Sequence, residues 1–93
     1  MKLVAIIVVY KPDIASLKNN ILSVIKEVDK LLIYRNSEIL LDDVFFEPFK
    51  DKIEYLGDGV NIGIAGALNK GAKWSIENRF THLLTLDQDS FFQ

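Results

Sequence analysis

The apolar positions in the N-terminal part of this chain form two patterns, a continuous run and then a repeat every three or four residues. A continuous apolar run rich in β-branched residues, Leu3–Val9, is typical of a central parallel strand covered on both faces. Pro12 blocks continuation of that strand, and Asp13 is a suitable N-cap for a helix. The apolar residues that follow recur at intervals of three or four and predict an amphipathic helix to about Glu27. They are Ile14, Leu17, Ile21, Ile25 and Val28.

The rest of the chain continues this alternation of strands and helices. Short apolar segments predict strands over residues 31–34, 53–56 and 82–86. A second helix is predicted from residue 64 to near Asn78, because apolar residues step by four there. They are Ile64, Leu68, Ala72 and Ile76.

Three connecting segments separate these elements. Residues 35–38 are polar and predict a loop, and residues 57–63 are rich in turn-forming residues. Between them, the apolar clusters of residues 39–49 are interrupted by acidic residues and by Pro48, and we interpret this segment as a short helix.

Alternating strands and helices indicate an α/β domain with three layers, α/β/α. Consecutive strands joined through a helix lie parallel, and the connection is right-handed. We therefore expect a mainly parallel sheet, and we take its strand order to be 3-2-1-4. With 93 residues, 49% of them hydrophobic, the chain has room for one small core, so we treat residues 1–93 as a single domain.

Composition and charge argue against several classes of function. The net charge of -2, with basic residues spread thinly, offers no footprint for a nucleic-acid backbone, so we expect no nucleic-acid partner. The sequence has no cysteine, so any metal must be held by oxygen. The apolar run at the N-terminus is too short to span a bilayer. We expect no transmembrane segment and a cytoplasmic location.

The residues that most suggest chemistry are Asp87, Gln88 and Asp89, which we call the acidic tip. In an open parallel sheet, ligands bind outside the carboxyl ends of the strands, where the strand order reverses. With the order 3-2-1-4, the acidic tip and the loop after Tyr10 face each other across one crevice at that point. Neighbouring carboxylates repel unless a cation neutralises them, and Mg²⁺ and Mn²⁺ prefer carboxylate and phosphate oxygens. The acidic tip is therefore a candidate site for a divalent metal and a nucleotide diphosphate, and the alternative is a solvated turn.

A second candidate is the loop over residues 61–63, which precedes the second helix. Its backbone amides and the helix N-terminus suit an anion. Gly63 fits helix entry and close ligand approach equally well, whereas Gly71 inside the helix indicates close packing on the sheet. The phosphate loops of ordinary nucleotide hydrolases and dinucleotide oxidoreductases are absent from the sequence, which disfavours both classes.

Three motifs, taken in order, resemble the family 2 glycosyltransferases, and within them the bacterial rhamnosyltransferase-like group. They are VVYKPD after the first strand, NIGIAGALNKG at the second helix and LLTLDQDS at the fourth strand. The resemblance covers essentially the whole chain. It implies a GT-A fold with a Rossmann-like nucleotide-binding half, and transfer of a sugar, with inversion, from a nucleotide-diphospho-sugar to a glycan or polysaccharide acceptor. The expected donor is a dTDP-sugar, such as dTDP-rhamnose, or a UDP-sugar.

The resemblance also assigns roles to individual residues of the nucleotide pocket. Val9 and Tyr10, at the end of the first strand, would lie along the base and ribose. Asn61, Gly63 and Asn69 match positions that line or support the pocket. These five residues are therefore expected to surround the nucleotide.

The metal is assigned in the same way. Asp87 would bond the ribose or approach the metal, and Asp89 would ligate the Mg²⁺ or Mn²⁺ that bridges the diphosphate. The ion would stabilise the charge that grows on the leaving diphosphate.

One position departs from the pattern of this family. Its second strand usually ends in an aspartate that contacts the base, but this chain has Arg35 there. An arginine cannot accept the same hydrogen bond. Arg35 is expected either to join the nucleotide-binding residues by pairing with a phosphate or to point into solvent.

The chain also ends soon after the acidic tip, whereas members of this family continue into a half that supplies the acceptor site and the general base. We therefore expect the nucleotide-sugar-binding part of a glycosyltransferase, truncated after the D-x-D motif and inactive alone, with its catalytic residues unassigned. The alternative is a non-catalytic relic or pseudoenzyme module that serves binding or assembly. Exposed strand edges, with Phe91 and Phe92, further predict a homo-oligomer.

Overall fold

The computed structural model describes residues 2–38 and 47–88. Strands and helices alternate along these residues, as the hydrophobic pattern predicts. The elements are β1 (Leu3–Val9), α1 (Ile14–Val24), β2 (Lys30–Arg35), a short 3-10 helix (Glu47–Lys52), β3 (Ile53–Leu56), α2 (Gly63–Glu77) and β4 (His82–Leu86). Neither helix is long and apolar enough, within this described part, to cross a membrane.

The four strands form one sheet with the order β3-β2-β1-β4, and every neighbouring pair is parallel. The expected order 3-2-1-4 is therefore confirmed, and the described sheet is parallel throughout. β1 is a central strand, since its residues 4–9 pair with β2 and its residues 3–7 pair with β4. β3 and β4 are the two edges of the described sheet.

The two helices cover opposite faces of the sheet and produce the expected three layers. Successive side chains of a strand point to opposite faces, so β1 contributes to two cores. Ala5, Ile7 and Val9 belong to the core beneath α1, whereas Val4 and Ile6 belong to the core beneath α2. All five side chains are fully buried. The uninterrupted apolar run in β1 follows from this double burial.

The first helix begins where the sequence predicts and ends earlier. The Asp13 carboxylate accepts a hydrogen bond from the Ala15 N–H at 3.3 Å and caps the first turn. At the other end the helix stops at Val24, before the predicted Glu27. The cause is a tighter turn, in which the Glu27 N–H donates to the Val24 carbonyl at 2.9 Å.

The second helix packs on the sheet through small residues. Its buried positions are Ala67, Gly71 and Ser75, one residue before the apolar stripe in each turn. A Cβ atom on Gly71 would overlap the Cδ1 methyl of Ile6, so the helix backbone lies against the sheet there. Close packing at Gly71 is therefore confirmed.

The apolar stripe of α2 is turned away from the centre of the sheet. Ile64 and Ile76 are 68% and 76% exposed. Ile64 and Leu68 lie beside Thr85 and Leu86, so this stripe faces the edge strand β4. Leu68, in the same stripe, still packs against the core beneath α2, so the pattern that identified the helix marks its packed face only in part.

The short helix predicted over residues 39–49 lies mostly outside the described residues. Its described end belongs to the 3-10 helix Glu47–Lys52, whose Phe49 packs against the core beneath α1.

Candidate functional site

A crevice opens at the carboxyl edge of the sheet, beyond the point where β1 and β4 cease to pair. The last pair in that ladder is Ile7 with Leu86. The first turn of α2 borders the same opening, which has a volume of about 560 Å³. We call this opening the crevice. Its lining residues are Val8, Tyr10, Asn36, Asn61, Gly63, Ile64, Leu68, Thr85, Leu86, Asp87 and Gln88.

The crevice lies at the switch point expected from the strand order. From β1, the chain runs through α1 on one face to β2, whereas β4 is reached through α2 on the other face. The two connections leave the carboxyl ends of β1 and β4 uncovered between them, which is where ligands bind in open α/β sheets.

Gln88 bridges the mouth of the crevice to the end of β1. Its Oε1 accepts a hydrogen bond from the Tyr10 N–H at 2.8 Å, and its Nε2 donates to the Tyr10 carbonyl at 3.0 Å. The side chain therefore satisfies both backbone groups of Tyr10, as a neighbouring strand would. Tyr10 is 41% exposed, and its side chain lines the crevice.

Asn20, on α1, supports the acidic tip from below. It is fully buried, and its Nδ2 donates to the carbonyls of Asp87 and Gln88 at 2.7 and 3.1 Å. Its Oδ1 has no hydrogen-bond partner among the described residues. Burying an amide side chain costs free energy unless the amide forms hydrogen bonds. The two hydrogen bonds from Asn20 offset this cost and hold the backbone of the acidic tip in one position.

Asp87 presents the only described carboxylate that lines the crevice. Its backbone carbonyl is bonded to Asn20, while the residue itself is exposed. Along β4, Leu83 belongs to the core on the α2 side and Thr85 lines the crevice. Asp87 continues that alternation, which explains why it reaches the crevice rather than the α1 side.

The loop before α2 is shaped by two asparagines. Asn61 Oδ1 accepts a hydrogen bond from the Gly63 N–H at 2.8 Å. Asn36, buried at the end of β2, accepts from the Ile62 N–H at 3.3 Å and donates to the Gly63 carbonyl at 3.2 Å. Gly63 has a φ of 82°, a left-handed conformation that favours glycine. These bonds fix the direction in which α2 begins.

The first turn of α2 points its amides toward the crevice without a side-chain cap. The N-cap residue is Ile62, which makes no side-chain capping hydrogen bond. Since the Gly63 N–H is already bonded to Asn61, the amides of Ile64 and Ala65 are the donors that remain for a bound anion.

Arg35 contacts the backbone and an aromatic ring of its own chain. Its Nε and Nη2 donate to the Gly57 carbonyl at 3.1 and 2.7 Å, and its guanidinium lies over the Tyr55 ring at 5.7 Å. These contacts join the ends of β2 and β3. Arg35 does not line the crevice, and its cation is engaged by backbone rather than directed into solvent.

Two other predicted pocket residues also lie away from the crevice. Val9 is fully buried beneath α1, and its neighbour Val8 lines the crevice instead. Asn69 lines a second opening, of about 790 Å³, which lies between α2 and β3. Tyr10, Asn61, Gly63 and Asp87 are thus the predicted residues that the fold brings together.

Asp89, predicted as the principal metal ligand, lies outside the described residues. Within residues 2–38 and 47–88 no cluster of three or more acidic or histidine side chains exists. The backbone carbonyls of Tyr10, Asp87 and Gln88 are already hydrogen-bonded. Among the described residues of the crevice, a cation would find one carboxylate, that of Asp87, and the rest of its shell would have to come from phosphate and water oxygens.

Sequence reasoning missed the structural roles of Asn20, Asn36 and Gln88. Asn20 could have been found, since it lies between Leu17 and Ile21 on the buried face of α1, where a polar residue is unexpected. Gln88 was recognised only as the spacer between two aspartates. The hydrogen bond that makes it important joins residues 78 positions apart, and no local pattern indicates it.

No model of a known protein family matches this sequence, and no curated protein matches it significantly.

Proposed function

We propose that this chain binds a nucleotide-diphospho-sugar together with Mg²⁺ or Mn²⁺, as the donor-binding part of a glycosyltransferase. The observation that carries the proposal is that Tyr10, Asp87 and the uncapped start of α2 share one crevice at the switch point of a parallel sheet. These are an aromatic surface, a carboxylate and a set of amide donors. In a metal-bound nucleotide diphosphate, the nucleoside would contact the aromatic surface, the metal would bind the carboxylate and the phosphates would accept from the amides.

The diphosphate is the part of the ligand best matched by backbone. The free amides of the first turn of α2 and the positive end of its dipole favour an anion. α2 has 15 residues, so its dipole is fully developed. The phosphate oxygens also provide the ligands that a metal at Asp87 needs beyond one carboxylate. When bound, the metal would neutralise charge on the leaving diphosphate.

The Tyr10 ring supports the assignment of the nucleoside end. It is partly exposed at the rim of the crevice, and the hydrogen bonds from Gln88 hold its backbone in place. Arg35 is engaged with Gly57, so a contact to the base comes from another group. A pyrimidine donor, dTDP- or UDP-linked, with rhamnose as the sugar and a glycan or polysaccharide as the acceptor, follows from the sequence resemblance.

The proposal covers binding and not turnover by this chain alone. Inverting transfer needs a general base on the face opposite the leaving group. The one described carboxylate in the crevice is Asp87, and it is assigned to the metal. We therefore expect nucleotide-sugar binding without detectable sugar transfer.

Isothermal titration with dTDP, UDP and GDP, each with and without Mn²⁺, tests the proposal. We expect saturable binding of a nucleotide that requires the metal. Asp87→Asn should weaken it tenfold or more, which corresponds to about 1.4 kcal/mol. The matched control is Asp51→Asn, which removes a carboxylate that is also exposed but does not line the crevice. Absence of binding at millimolar nucleotide, with the protein folded, would contradict the proposal.

A second candidate function is a non-catalytic module that retains the fold but has lost its nucleotide. The engagement of Arg35 by the Gly57 carbonyl favours it, because this position then offers the base no partner. Arg35→Asp separates the two candidates. If nucleotide binding is absent in the native chain and appears in this variant, the chain has lost a binding function at that residue.

A further inference from the structure

The edge strand β4 has the apolar composition that is usual for a strand in the interior of a sheet. None of its five residues is buried, although three are leucines, and it contains no acidic residue, lysine, arginine or proline. Natural edge strands are usually protected by such residues or by bulges. β4 has no neighbour on its outer side in the part of the chain that the structure describes.

The register of β4 on β1 shows which backbone groups are directed outward. The His82 N–H donates to the Lys2 carbonyl at 3.1 Å, and Leu3 is the residue paired with His82. In a parallel ladder the bonded residues alternate, so His82, Leu84 and Leu86 direct their N–H and C=O groups toward β1. Leu83 and Thr85 direct theirs outward. Four polar backbone groups, two donors and two acceptors, are thus arranged along the open edge.

Apolar surface flanks this edge on both faces. On the α1 side, Leu84 is 37% exposed and borders an opening of about 390 Å³. Its other lining residues are the apolar Leu3, Val24 and Val28 and the polar Ser23 and Glu27. On the α2 side lies Ile64, which is 68% exposed and borders the same opening as Thr85 and Leu86. An additional strand on this edge would therefore cover apolar side chains on both of its faces.

We propose that β4 pairs with β4 of a second copy of this chain, antiparallel and around a two-fold axis at Leu84. In this register Leu83 lies opposite Thr85 of the other copy, so the two outward residues of each strand exchange hydrogen bonds directly. The arrangement is isologous and closes as a dimer, with one continuous eight-stranded sheet. The N–H and C=O groups of Leu83 in one copy lie opposite those of Thr85 in the other, so a second β4 strand can pair with all four outward groups.

Charge also favours the antiparallel arrangement of two copies. Lys2, which precedes β1, lies beside the start of β4 because its carbonyl accepts the His82 N–H, and Asp87 lies just after the end of β4. Antiparallel pairing brings the basic end of each copy beside the acidic end of the other, whereas a parallel arrangement would place like charges together. The strand between these ends carries no formal charge, so nothing repels along the joint.

Disulfide trapping tests the register directly, because the chain has no cysteine of its own. Residues that face each other in a non-hydrogen-bonded antiparallel pair have Cα atoms about 4.5 Å apart, within the range of a disulfide. Leu84→Cys is therefore expected to form a covalent dimer rapidly under air oxidation. His82→Cys is the matched control, since the two copies of residue 82 would be about 13 Å apart.

Sedimentation of the unmodified chain, from micromolar to millimolar concentration, tests the dimer without a cross-link. A reversible monomer–dimer equilibrium is expected, and Leu84→Lys should shift it at least tenfold toward monomer because two charges meet at the axis. Leu22→Lys, at a residue on α1 that is 40% exposed, should leave it unchanged. Circular dichroism confirms that both variants fold.

Two results would overturn the proposal. One is a monomer at every concentration, which would mean that another segment covers the edge or that solvent does. The other is a disulfide that forms at residue 82 as fast as at residue 84, which would exclude the antiparallel register. Both readouts are independent of nucleotide binding, so the proposal stands or fails separately from the proposed function.

Discussion

At the scale of single residues, amide side chains hold the crevice in shape where the backbone ladder stops. The β1–β4 ladder ends at Ile7 and Leu86, and Gln88 then supplies both a donor and an acceptor to Tyr10. A carboxamide offers the same two functions as a peptide group. Asn20 uses its donors in a similar way, on two carbonyls of the acidic tip. The mouth of the crevice is therefore built by side chains and depends on their chemistry.

Replacing Gln88 with methionine tests this bridge. Gln88→Met keeps the length of the side chain and removes both hydrogen bonds to Tyr10, so we expect a loss of about 1–2 kcal/mol in the free energy of unfolding. We also expect the Tyr10 amide to exchange with solvent at least tenfold faster, as measured by NMR. The Asn36 amide, which donates to the Val9 carbonyl at 2.8 Å, is the internal control and should keep its rate. An unchanged Tyr10 rate would show that the bridge does not form in solution.

At the scale of elements, α2 packs on the sheet through small residues, so its backbone lies close to the sheet. Its packed face contains Ala67, Gly71 and Ser75, and the Ser75 hydroxyl donates to the Gly71 carbonyl at 2.7 Å. Small residues allow the helix backbone to approach Ile6, which lies in the central strand. Ile64 and Leu68 lie beside Thr85 and Leu86 of β4, whereas Trp74 borders the opening on the side of β3.

Two glycines of α2 provide a matched pair for this packing. Gly71→Ala should destabilise the protein by about 1–3 kcal/mol, because the added methyl overlaps Ile6 in a filled core. Gly66→Ala adds the same methyl in the same helix, where the nearest atom is the Cδ1 of Ile62 at 3.3 Å, the end of a flexible side chain. Helix propensity should then stabilise this variant by up to about 1 kcal/mol. Urea denaturation measures both, and equal effects would contradict the packing described.

At the scale of the whole molecule, burial decreases from the centre of the sheet to its edges. In β1 and β2 most residues are buried, in β3 one residue of four, and in β4 none of five. Because burial provides most of the stabilisation of a domain, the strands should differ in their local stability. The crevice is formed between the most buried strand, β1, and the least buried one, β4.

Hydrogen exchange at increasing denaturant is the measurement for this gradient. Amides of β1 and β2 should exchange only through global unfolding, whereas those that join β4 to β1 should open locally, at a free energy lower by about 1 kcal/mol or more. The experiment belongs at low protein concentration, where a dimer would dissociate. A single free energy for all four strands would refute the gradient.

Much of this fold could be predicted from the sequence because its signals are local. Three strands, β1, β3 and β4, have the predicted bounds, and β2 is one residue longer at each end than predicted. The strand order 3-2-1-4 was expected and is the observed one. Right-handed crossovers explain on which face each helix lies and not the order of the strands. The site was predictable in part, since Tyr10 and Asp87 end strands whose carboxyl ends had to meet. Val9, Asn69 and Arg35 lay elsewhere because the resemblance could assign a position but not the direction of a side chain.

The acidic tip has some features that the sequence alone determines and others that depend on the tertiary structure. By itself, the sequence determined that Asp87 follows a strand and that this strand belongs to a parallel sheet, because apolar runs and crossover geometry act over short distances along the chain. Only the tertiary structure decided that Asn20 and Gln88 anchor the tip, that α2 turns its small residues to the sheet, and that β4 is an edge of the sheet formed by residues 2–38 and 47–88. Those features depend on contacts between residues far apart in sequence, whose partners no periodic pattern specifies.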